Sequence, residues 1–289
     1  MEIEDHLMES HFDVAPSGPG HIAPIRDPNP NDPPWTVLTA FGVWAASVLF
    51  VLIIPTLFLL PYLATLSPPI TETEQIVEFA KTDPTALFLQ ILAILPAHLL
   101  TLAVVWLVAT RGRKYKLTET LGLSNGGLLW WHYIAILVGF FVIAGVVGYY
   151  FPEQDNDLIR ILKSSRSAVY IVAFVATFTA PVIEEFVYRG VIYSAFQRTF
   201  GVSAAFLFVT LLFALVHVPQ YYPSYSTIFL LTLLSVILTL VRVKTSSLLP
   251  CIILHTLFNG FQSVLLILEP YIGDTAVADP SASIFHLFR

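Results

Sequence analysis

Residues 128–150 read LLWWHYIAILVGFFVIAGVVGYY and contain no aspartate, glutamate, lysine or arginine. A helix crosses the hydrocarbon core of a bilayer with about 20 predominantly apolar residues, so this run is long enough to span a membrane. It lacks the strict alternation of apolar and polar residues that marks the strands of a membrane barrel. The stretch therefore predicts a transmembrane α-helix.

Further apolar runs of spanning or near-spanning length lie on both sides of this stretch. They cover residues 36–66, 85–110, 167–183 continuing toward 198, 202–218, 226–241 and 247–268. The whole chain is 56% apolar and 12% charged, with a mean hydropathy of +0.76, whereas a soluble domain carries about 25% charged residues. The predicted fold is all-α: a polytopic membrane bundle of about seven transmembrane helices, within a range of about six to eight, around a polar intramembrane cavity.

The amino-terminal segment 1–34 differs from the apolar runs that follow it. It contains seven acidic residues, seven prolines and a single basic residue, Arg26. A segment of this composition cannot bury enough apolar surface to offset the loss of conformational entropy. We therefore predict a disordered, acidic, proline-rich tail over residues 1–34 and amino-terminal transmembrane helices over residues 35–165.

The loops carry an uneven distribution of charge. The densest basic cluster is Arg111–Lys116, whereas the loop 67–84 is mainly acidic. Cytoplasmic loops carry an excess of lysine and arginine, so this cluster and the amino terminus are predicted to be cytoplasmic. The loop 151–166 opposes this orientation, because it places three basic residues on the outer side. We expect a multi-pass protein in the plasma membrane of a prokaryote.

Charged residues interrupt one of the predicted spans. Residues 180–190 read APVIEEFVYRG, and charges at such depth usually face a bundle interior or a wet cavity and mark a functional site. Glu185 and Arg189 are four residues apart, so they share a helix face and are predicted to pair. Glu184 is rotated by roughly 100° from that pair and is a candidate general base. Pro181 can kink the helix and open a gap that water can enter.

Two later spans also carry polar residues. FALVH at 213–217 ends in His217, and HTLFN at 255–259 begins with His255 and ends with Asn259. If a turn at Gly201 joins two helices, Glu184 and His217 both lie roughly 20 Å from that turn, and His255 lies roughly 15 Å deep in its own helix. These groups can therefore meet at one level in the membrane.

The polar groups suit two kinds of hydrolytic site. His255 and Asn259 share a helix face and could donate hydrogen bonds to a developing oxyanion. Alternatively, Glu184, His217 and His255 could hold a zinc ion and leave one position open. We prefer the metal-free site. In both sites the reaction is of the same class, in which an activated water molecule attacks an acyl carbon.

Each polar group also has a structural interpretation. A single histidine in a membrane helix more often forms a hydrogen bond between helices, which is our expectation for His98 and His132. An isolated Glu–Arg pair is often structural, and an asparagine such as Asn259 can be a packing amide. The shared depth of the groups favours a functional site.

The residues 165–268 resemble the family of CAAX prenyl proteases and bacteriocin-processing intramembrane endopeptidases. The resemblance consists of Glu-Glu-x-x-x-Arg at 184–189, Phe-x-x-x-His at 213–217 and His-x-x-x-Asn at 255–259, in that order. It implies a catalytic helical core over residues 166–268, followed by a carboxyl-terminal tail over 269–289. It also implies cleavage of peptide bonds near the bilayer.

The resemblance assigns a role to each motif residue. Glu184 would activate water together with His217, while His255 and Asn259 would stabilise the oxyanion. Glu185 and Arg189 would hold the site together. The implied partners are the lipid bilayer and a membrane-associated protein or peptide substrate, lipidated or not, and the net charge of −6 gives no indication of nucleic acid binding.

Two other functions remain open at this stage. A transporter or ion pathway also uses paired charges within the membrane, but it would show broken helices in two corresponding halves, and the sequence has no internal symmetry. A non-catalytic scaffold or bacteriocin-immunity protein could keep the motifs without activity.

Overall fold

The chain is built of helices in the computed structural model, which describes residues 27–156, 159, 161–162 and 166–273. Seven of the helical segments in this part of the chain are long and apolar enough to cross a membrane, which confirms the predicted bundle and its number of spans. The helices are α1 (Val37–Leu63), α2 (Thr73–Thr82), α3 (Pro84–Leu92), α4 (Ile94–Thr110), α5 (Leu117–Leu121), α6 (Trp130–Tyr150), α7 (Arg166–Phe200), α8 (Val202–Tyr221), α9 (Tyr225–Thr245) and α10 (Leu249–Gly273).

Local sequence explains where several helices begin and break. The hydroxyl of Thr36 accepts a hydrogen bond from the Thr39 amide and caps α1, and Asp83 caps α3 in the same way through the Ala86 amide. The second span covers α3 and α4, which are separated at Ala93. Pro96 has no amide hydrogen for the carbonyl of residue 92, which accounts for that break.

The long helix α7 lies at the centre of the bundle. It packs against α1, α3 and α4 on one side and against α8 and α10 on the other. Helix α6 is peripheral and packs against α9 and α10. Large apolar side chains on α1 and α6 stay exposed, as expected for surfaces that face lipid. The bundle therefore surrounds the helix that carries the two adjacent glutamates.

The two ends of the bundle differ in charge. We call the end with the loop 111–116, the turn at Gly201 and the turn at 246–248 the basic end. The opposite end, with the loop 64–83, residues 151–156 and the turn at 222–224, is the acidic end. Helix α2 lies within residues 67–84, which were predicted only as an acidic loop.

The predicted disordered tail lies mostly outside the described residues, which begin at Asp27. Its last residues lie against the basic end. The Arg242 guanidinium donates to the carbonyl of Pro30 (2.6 Å) and to the Asn31 side chain (3.1 Å), and the Trp35 indole N–H donates to the carbonyl of Val191 (2.9 Å). These contacts join the segment before α1 to helices α7 and α9.

Candidate active site

Helix α7 is irregular where it passes through the bundle. Two π-helical stretches, Val175–Thr179 and Phe186–Ile192, flank a short α-helical stretch, Ala180–Glu185. Pro181 lacks an amide hydrogen, so regular α-helical bonding cannot continue through it. π-Helical turns are rare and occur often at functional sites. Both glutamates therefore lie in a segment whose backbone departs from a uniform helix, beside the predicted kink.

Glu185 and Arg189 form the predicted ion pair. Arg189 Nη1 lies 2.8 Å from Glu185 Oε1, and both side chains are 0% exposed. The guanidinium also donates to Ser235 Oγ (2.8 Å) and stacks on the ring of Phe213, 4.5 Å from its centroid. A buried charge is tolerated when such partners surround it. This pair lies on the side of α7 that is buried against α8 and α9, and we call it the sealed side.

Gly190 allows the sealed side to pack closely. A methyl group added at this position would lie 3.2 Å from a side-chain carbon of Leu248 and 3.3 Å from one of Leu121. These approaches are tighter than ordinary van der Waals contact. The glycine after the arginine thus lets α7 approach the residues around the turns at 122 and 246–248.

His255 connects the ion pair to the neighbouring glutamate. Its Nδ1 lies 2.9 Å from Glu185 Oε1, the same oxygen that accepts from Arg189. A carboxylate oxygen accepts, so Nδ1 carries the hydrogen and Nε2 is the other ring nitrogen. Nε2 lies 3.7 Å from Glu184 Oε2. The two glutamates therefore contact opposite edges of one imidazole.

His217 faces Glu184 from the other side. Its Nδ1 lies 2.7 Å from the backbone carbonyl of Phe213, which can only accept, so Nδ1–H is the donor. Its Nε2 lies 3.9 Å from Glu184 Oε1. The Glu184 carboxylate thus lies between the Nε2 atoms of His217 and His255. The predicted meeting of three helices at one level is confirmed.

Asn259 lies one turn beyond His255 on α10. Its Nδ2 donates to the carbonyl of Ala176, 2.9 Å away, in the first π-helical stretch of α7. An amide nitrogen has two hydrogens, so a second donor remains for another acceptor. Asn259 also lines the cavity described next, and its role as an oxyanion donor stays a prediction.

A cavity of about 290 Å³ lies beside Glu184. Glu184, His217, His255 and Asn259 line it, whereas Glu185 and Arg189 are not among its lining residues. Aromatic and aliphatic side chains of α6 and α9 form its apolar wall, which includes Phe140, Phe141, Leu230, Leu231 and Leu234. The lining continues to Glu153, Ser226 and Thr227 at the acidic end. The cavity therefore extends from Glu184 toward that end of the bundle.

Two histidines that the sequence suggested as structural have different environments. His98 on α4 is buried, and its Nδ1 lies 2.9 Å from the hydroxyl of Thr179 on α7. The expected hydrogen bond between helices is confirmed there. For His132 that expectation is wrong, because its Nδ1 bonds to the backbone of Leu129 within the first turn of α6. His132 is half-buried at the start of α6, where its described hydrogen bonds stay within that turn.

Glu153 is a residue of the cavity that the sequence did not suggest. It follows α6 in a loop with little local pattern, and only the packing of that loop against the start of α9 brings it to the cavity. Acidic character at this end of the bundle is the single sequence signal that could have drawn attention to it.

The donor atoms around Glu184 suit zinc by chemical type, since imidazole nitrogen and carboxylate oxygen are its common ligands. Ligands at about 2.0–2.1 Å from a tetrahedral ion lie about 3.3 Å apart, and the separations of 3.7 and 3.9 Å are somewhat wider. Within the described residues, no group of three or more His, Cys, Asp or Glu side chains is arranged as a metal site. Metal dependence stays a question for experiment.

Comparison with known proteins gives one family match. Residues 166–261 match the family model described as "Rce1-like: Type II CAAX prenyl endopeptidase Rce1-like". This range is about a third of the chain's 289 residues and contains all six predicted site residues. A search of curated proteins and a search of solved structures each found no match. The resemblance expected from the three motifs is confirmed over this range.

Proposed function

We propose that this chain, a multi-pass membrane protein with a region similar to type II CAAX prenyl endopeptidases, hydrolyses peptide bonds of membrane-associated substrates with Glu184 as general base. One observation carries the proposal. The Glu184 carboxylate lies between two imidazole Nε2 atoms, at 3.7 and 3.9 Å, on the wall of a cavity within the transmembrane helices. Such a carboxylate can accept a proton from a water molecule held between it and an imidazole.

The reaction begins when Glu184 takes a proton from water. The water oxygen attacks the carbonyl carbon of the scissile peptide bond, and the carbonyl oxygen becomes the oxyanion of a tetrahedral intermediate. The carbon–nitrogen bond then breaks, and the proton held by Glu184 passes to the leaving amine nitrogen. General base catalysis of this kind contributes typically about 10²–10⁴-fold.

The neighbouring residues have distinct roles in this mechanism. His217 positions the water through Nε2, because its Nδ1–H is already donated to the Phe213 carbonyl. Asn259 donates its second amide hydrogen to the oxyanion. His255 can donate from Nε2 when its ring carries a second proton, and the carboxylates of Glu184 and Glu185 then flank the charged ring. Glu185 and Arg189 hold His255 in place and do not touch the substrate.

The substrate class follows from the cavity. Its wall is mainly apolar and its volume is about 290 Å³, which suits a short, largely apolar stretch of an extended peptide. The substrate is a membrane-associated protein or peptide, with lipidated chains included. The family match supports a peptide substrate in a membrane environment.

A zinc-dependent mechanism is the competing form of the same activity. Zinc would be held by Glu184, His217 and His255 and would supply a Lewis acid that activates water. We favour the metal-free form, in which Glu184 is a base and not a ligand. Elemental analysis of purified, active protein distinguishes them: stoichiometric zinc, with activity lost to a chelator and restored by the metal, would contradict the metal-free form.

An ion pathway is less well supported than proteolysis. Such a pathway needs polar access from both sides of the membrane, whereas the cavity lining reaches the acidic end and includes no residue of the turns at the basic end. Toward the basic end, the described core is filled by apolar side chains such as Val191, Ile192 and Leu248.

The test is reconstitution of the purified chain in lipid vesicles with a membrane proteome, followed by identification of new peptide termini. The wild type should generate termini that the Glu184→Gln variant does not, and the variant should keep its melting temperature. Identical termini from both proteins would contradict the role of Glu184, and an absence of cleavage by the wild type would contradict the proposed activity.

A further inference from the structure

Glu153 lies where the cavity meets the acidic end, between α6 and α7 and beyond the end of the α6 span at Tyr150. Its Oε1 accepts hydrogen bonds from Thr227 Oγ1, at 3.0 Å, and from Asn156 Nδ2, at 3.3 Å. The residue is half-buried and is one of the two carboxylates among the described lining residues of the cavity. The other is Glu184.

Hydrogen bonds of the residues next to Glu153 hold its loop in place. The Gln154 amide donates to Ser224 Oγ at 3.4 Å, and Asn156 Nδ2 bonds to the carbonyl of Gln154 at 3.3 Å. Ser224 and Asn156 are buried. The loop is thereby attached to the turn before α9, so the carboxylate belongs to the wall of the cavity.

No described hydrogen-bond partner of Glu153 and no described residue that lines the cavity balances its charge. Its described hydrogen-bond partners, Thr227 and Asn156, are neutral, and the described lining of the cavity contains no lysine or arginine. Loss of solvation raises the pKa of Glu153, and its two hydrogen bonds only partly oppose that rise. A carboxylate in this state gains free energy from a cation that enters the cavity.

The separation of Glu153 from the Glu185–Arg189 pair along the bundle can be estimated from α9. Thr227 contacts Glu153, and Ser235 contacts Arg189, the partner of Glu185. Thr227 and Ser235 are eight residues apart on α9, which corresponds to a rise of about 12 Å along the helix. An extended peptide covers about 3.3 Å per residue, so three to four of its residues span this rise. Because Glu184 adjoins that pair, a peptide bond beside Glu184 is about three to four residues from Glu153 along the bundle.

We propose that Glu153 binds a lysine or arginine side chain of the substrate, about three to four residues from the scissile bond. This inference rests on the proposed function and adds a specificity to it. Glu153 lies beyond the end of the α6 span, where a charged side chain of the substrate can stay outside the apolar part of the membrane. The scissile bond of the same substrate can then lie deeper, beside Glu184. Two carboxylates in the same cavity also disfavour an anionic group there.

The test uses synthetic membrane peptides that carry lysine, glutamine or glutamate at each position from one to six residues on either side of a cleaved bond. With wild-type protein, lysine at the third or fourth position should raise kcat/KM over glutamine by about tenfold, between the limits for exposed and buried ion pairs. Glu153→Gln should remove this preference, and Glu153→Lys should transfer it to the glutamate peptide.

Asp155→Asn is the matched control. It removes one negative charge from the same loop at an exposed position that does not line the cavity, so the lysine preference should persist. A wild type with equal kcat/KM for the lysine and glutamine peptides would overturn the inference. An equal loss of preference in Asp155→Asn would do so too, because it would indicate general attraction by the acidic end.

A binding measurement separates this inference from the proposed activity. The affinity of the same labelled peptides for the Glu184→Gln variant in vesicles needs no catalysis. Tighter binding of the lysine peptide that disappears when Glu153→Gln is added supports the inference even if no peptide is cleaved. Equal affinities for the lysine and glutamine peptides would refute it even if the wild type proves to be a protease.

Discussion

The two sides of helix α7 differ in the exposure and the partners of their charged side chains. On the sealed side, Glu185 and Arg189 are 0% exposed and pair with each other, and Arg189 also donates to the hydroxyl groups of Ser235 and Thr239. On the cavity side, Glu184 and His217 retain 24% and 19% exposure and face each other at 3.9 Å without close contact. Adjacent residues in the sequence thus have different environments, and in our proposal one side stabilises the site while the other carries out the chemistry.

His255 links the two sides. It donates to the sealed carboxylate of Glu185 and presents its other nitrogen to Glu184. A change on the sealed side should therefore reach the cavity through the orientation of this ring. Substitutions on the cavity side should therefore act directly on cleavage, and those on the sealed side should act on it indirectly.

The largest expected contrast concerns the side of the membrane from which the cavity opens. If the basic cluster 111–116 and the amino terminus are cytoplasmic, as we propose, the cavity opens at the acidic end to the opposite side. A cysteine at Asn125 should then be labelled by an impermeant reagent only from the cytoplasm, and one at Gln154 only from the other side. The native Cys251 is buried, so it gives little background. Reversed labelling would contradict the orientation.

The next largest effect is expected on the sealed side. Glu185→Ala leaves Arg189 as a buried charge without its partner, which costs about 3–5 kcal/mol of unfolding free energy. This variant should melt at a markedly lower temperature in detergent and lose activity. Adding Arg189→Leu should restore the melting temperature without restoring full activity, because His255 still lacks its acceptor.

An exposed pair provides the control for that experiment. Lys116, just before α5, and Glu119, on α5, lie 2.9 Å apart, but both side chains are mostly exposed. Glu119→Ala should change the melting temperature little, since solvent replaces the lost partner. Equal losses for Glu119→Ala and Glu185→Ala would mean that burial does not distinguish the two pairs.

A comparable effect on activity is expected for Asn259. Removing one oxyanion donor costs about 10²–10³-fold in kcat in enzymes with preorganised sites. Asn259→Ala should therefore lower kcat for peptide cleavage by about this amount. The variant also loses its bond to Ala176, so melting curves should accompany the kinetics. A loss of stability without a change in kcat per folded molecule would reassign Asn259 to a structural role.

The smallest effect is expected at the mouth of the cavity. Because burial raises the folded-state pKa of Glu153, its contribution to stability is present at low pH and is lost as pH rises through that pKa. Glu153→Gln should therefore melt at a higher temperature than wild type at neutral pH. The difference should vanish below the ordinary pKa of glutamate, about 4.3. An unchanged difference across this range would contradict a perturbed carboxylate.

The spans and the ion pair could be predicted from sequence because each depends on local spacing. Apolar length fixes a transmembrane helix, and a separation of four residues places Glu185 and Arg189 on one face. Counting helix rise from Gly201 was enough to bring Glu184 and His217 to one depth. The family match over residues 166–261 agrees with the three motifs.

Other features depend on contacts between distant segments. The π-helical stretches of α7 have no strong local signature, and they arise where Pro181 and close packing compete with regular α-helical bonding. Glu153 reaches the cavity only because its loop attaches to Ser224 and Thr227. The contacts of residues 29–35 with the basic end likewise join parts of the chain that are far apart in sequence. Such pairings cannot be read from spacing alone.

The most direct test of the division between the two sides compares Glu184→Gln with Glu185→Gln in one preparation, measuring kcat for peptide cleavage and melting temperature for both. For Glu184→Gln we predict a fall in kcat of about 10²–10⁴-fold at an unchanged melting temperature. For Glu185→Gln we predict a lower melting temperature together with reduced activity, because the charge of Arg189 loses its counterion. Normal cleavage by Glu184→Gln, or full stability of Glu185→Gln, would contradict the account.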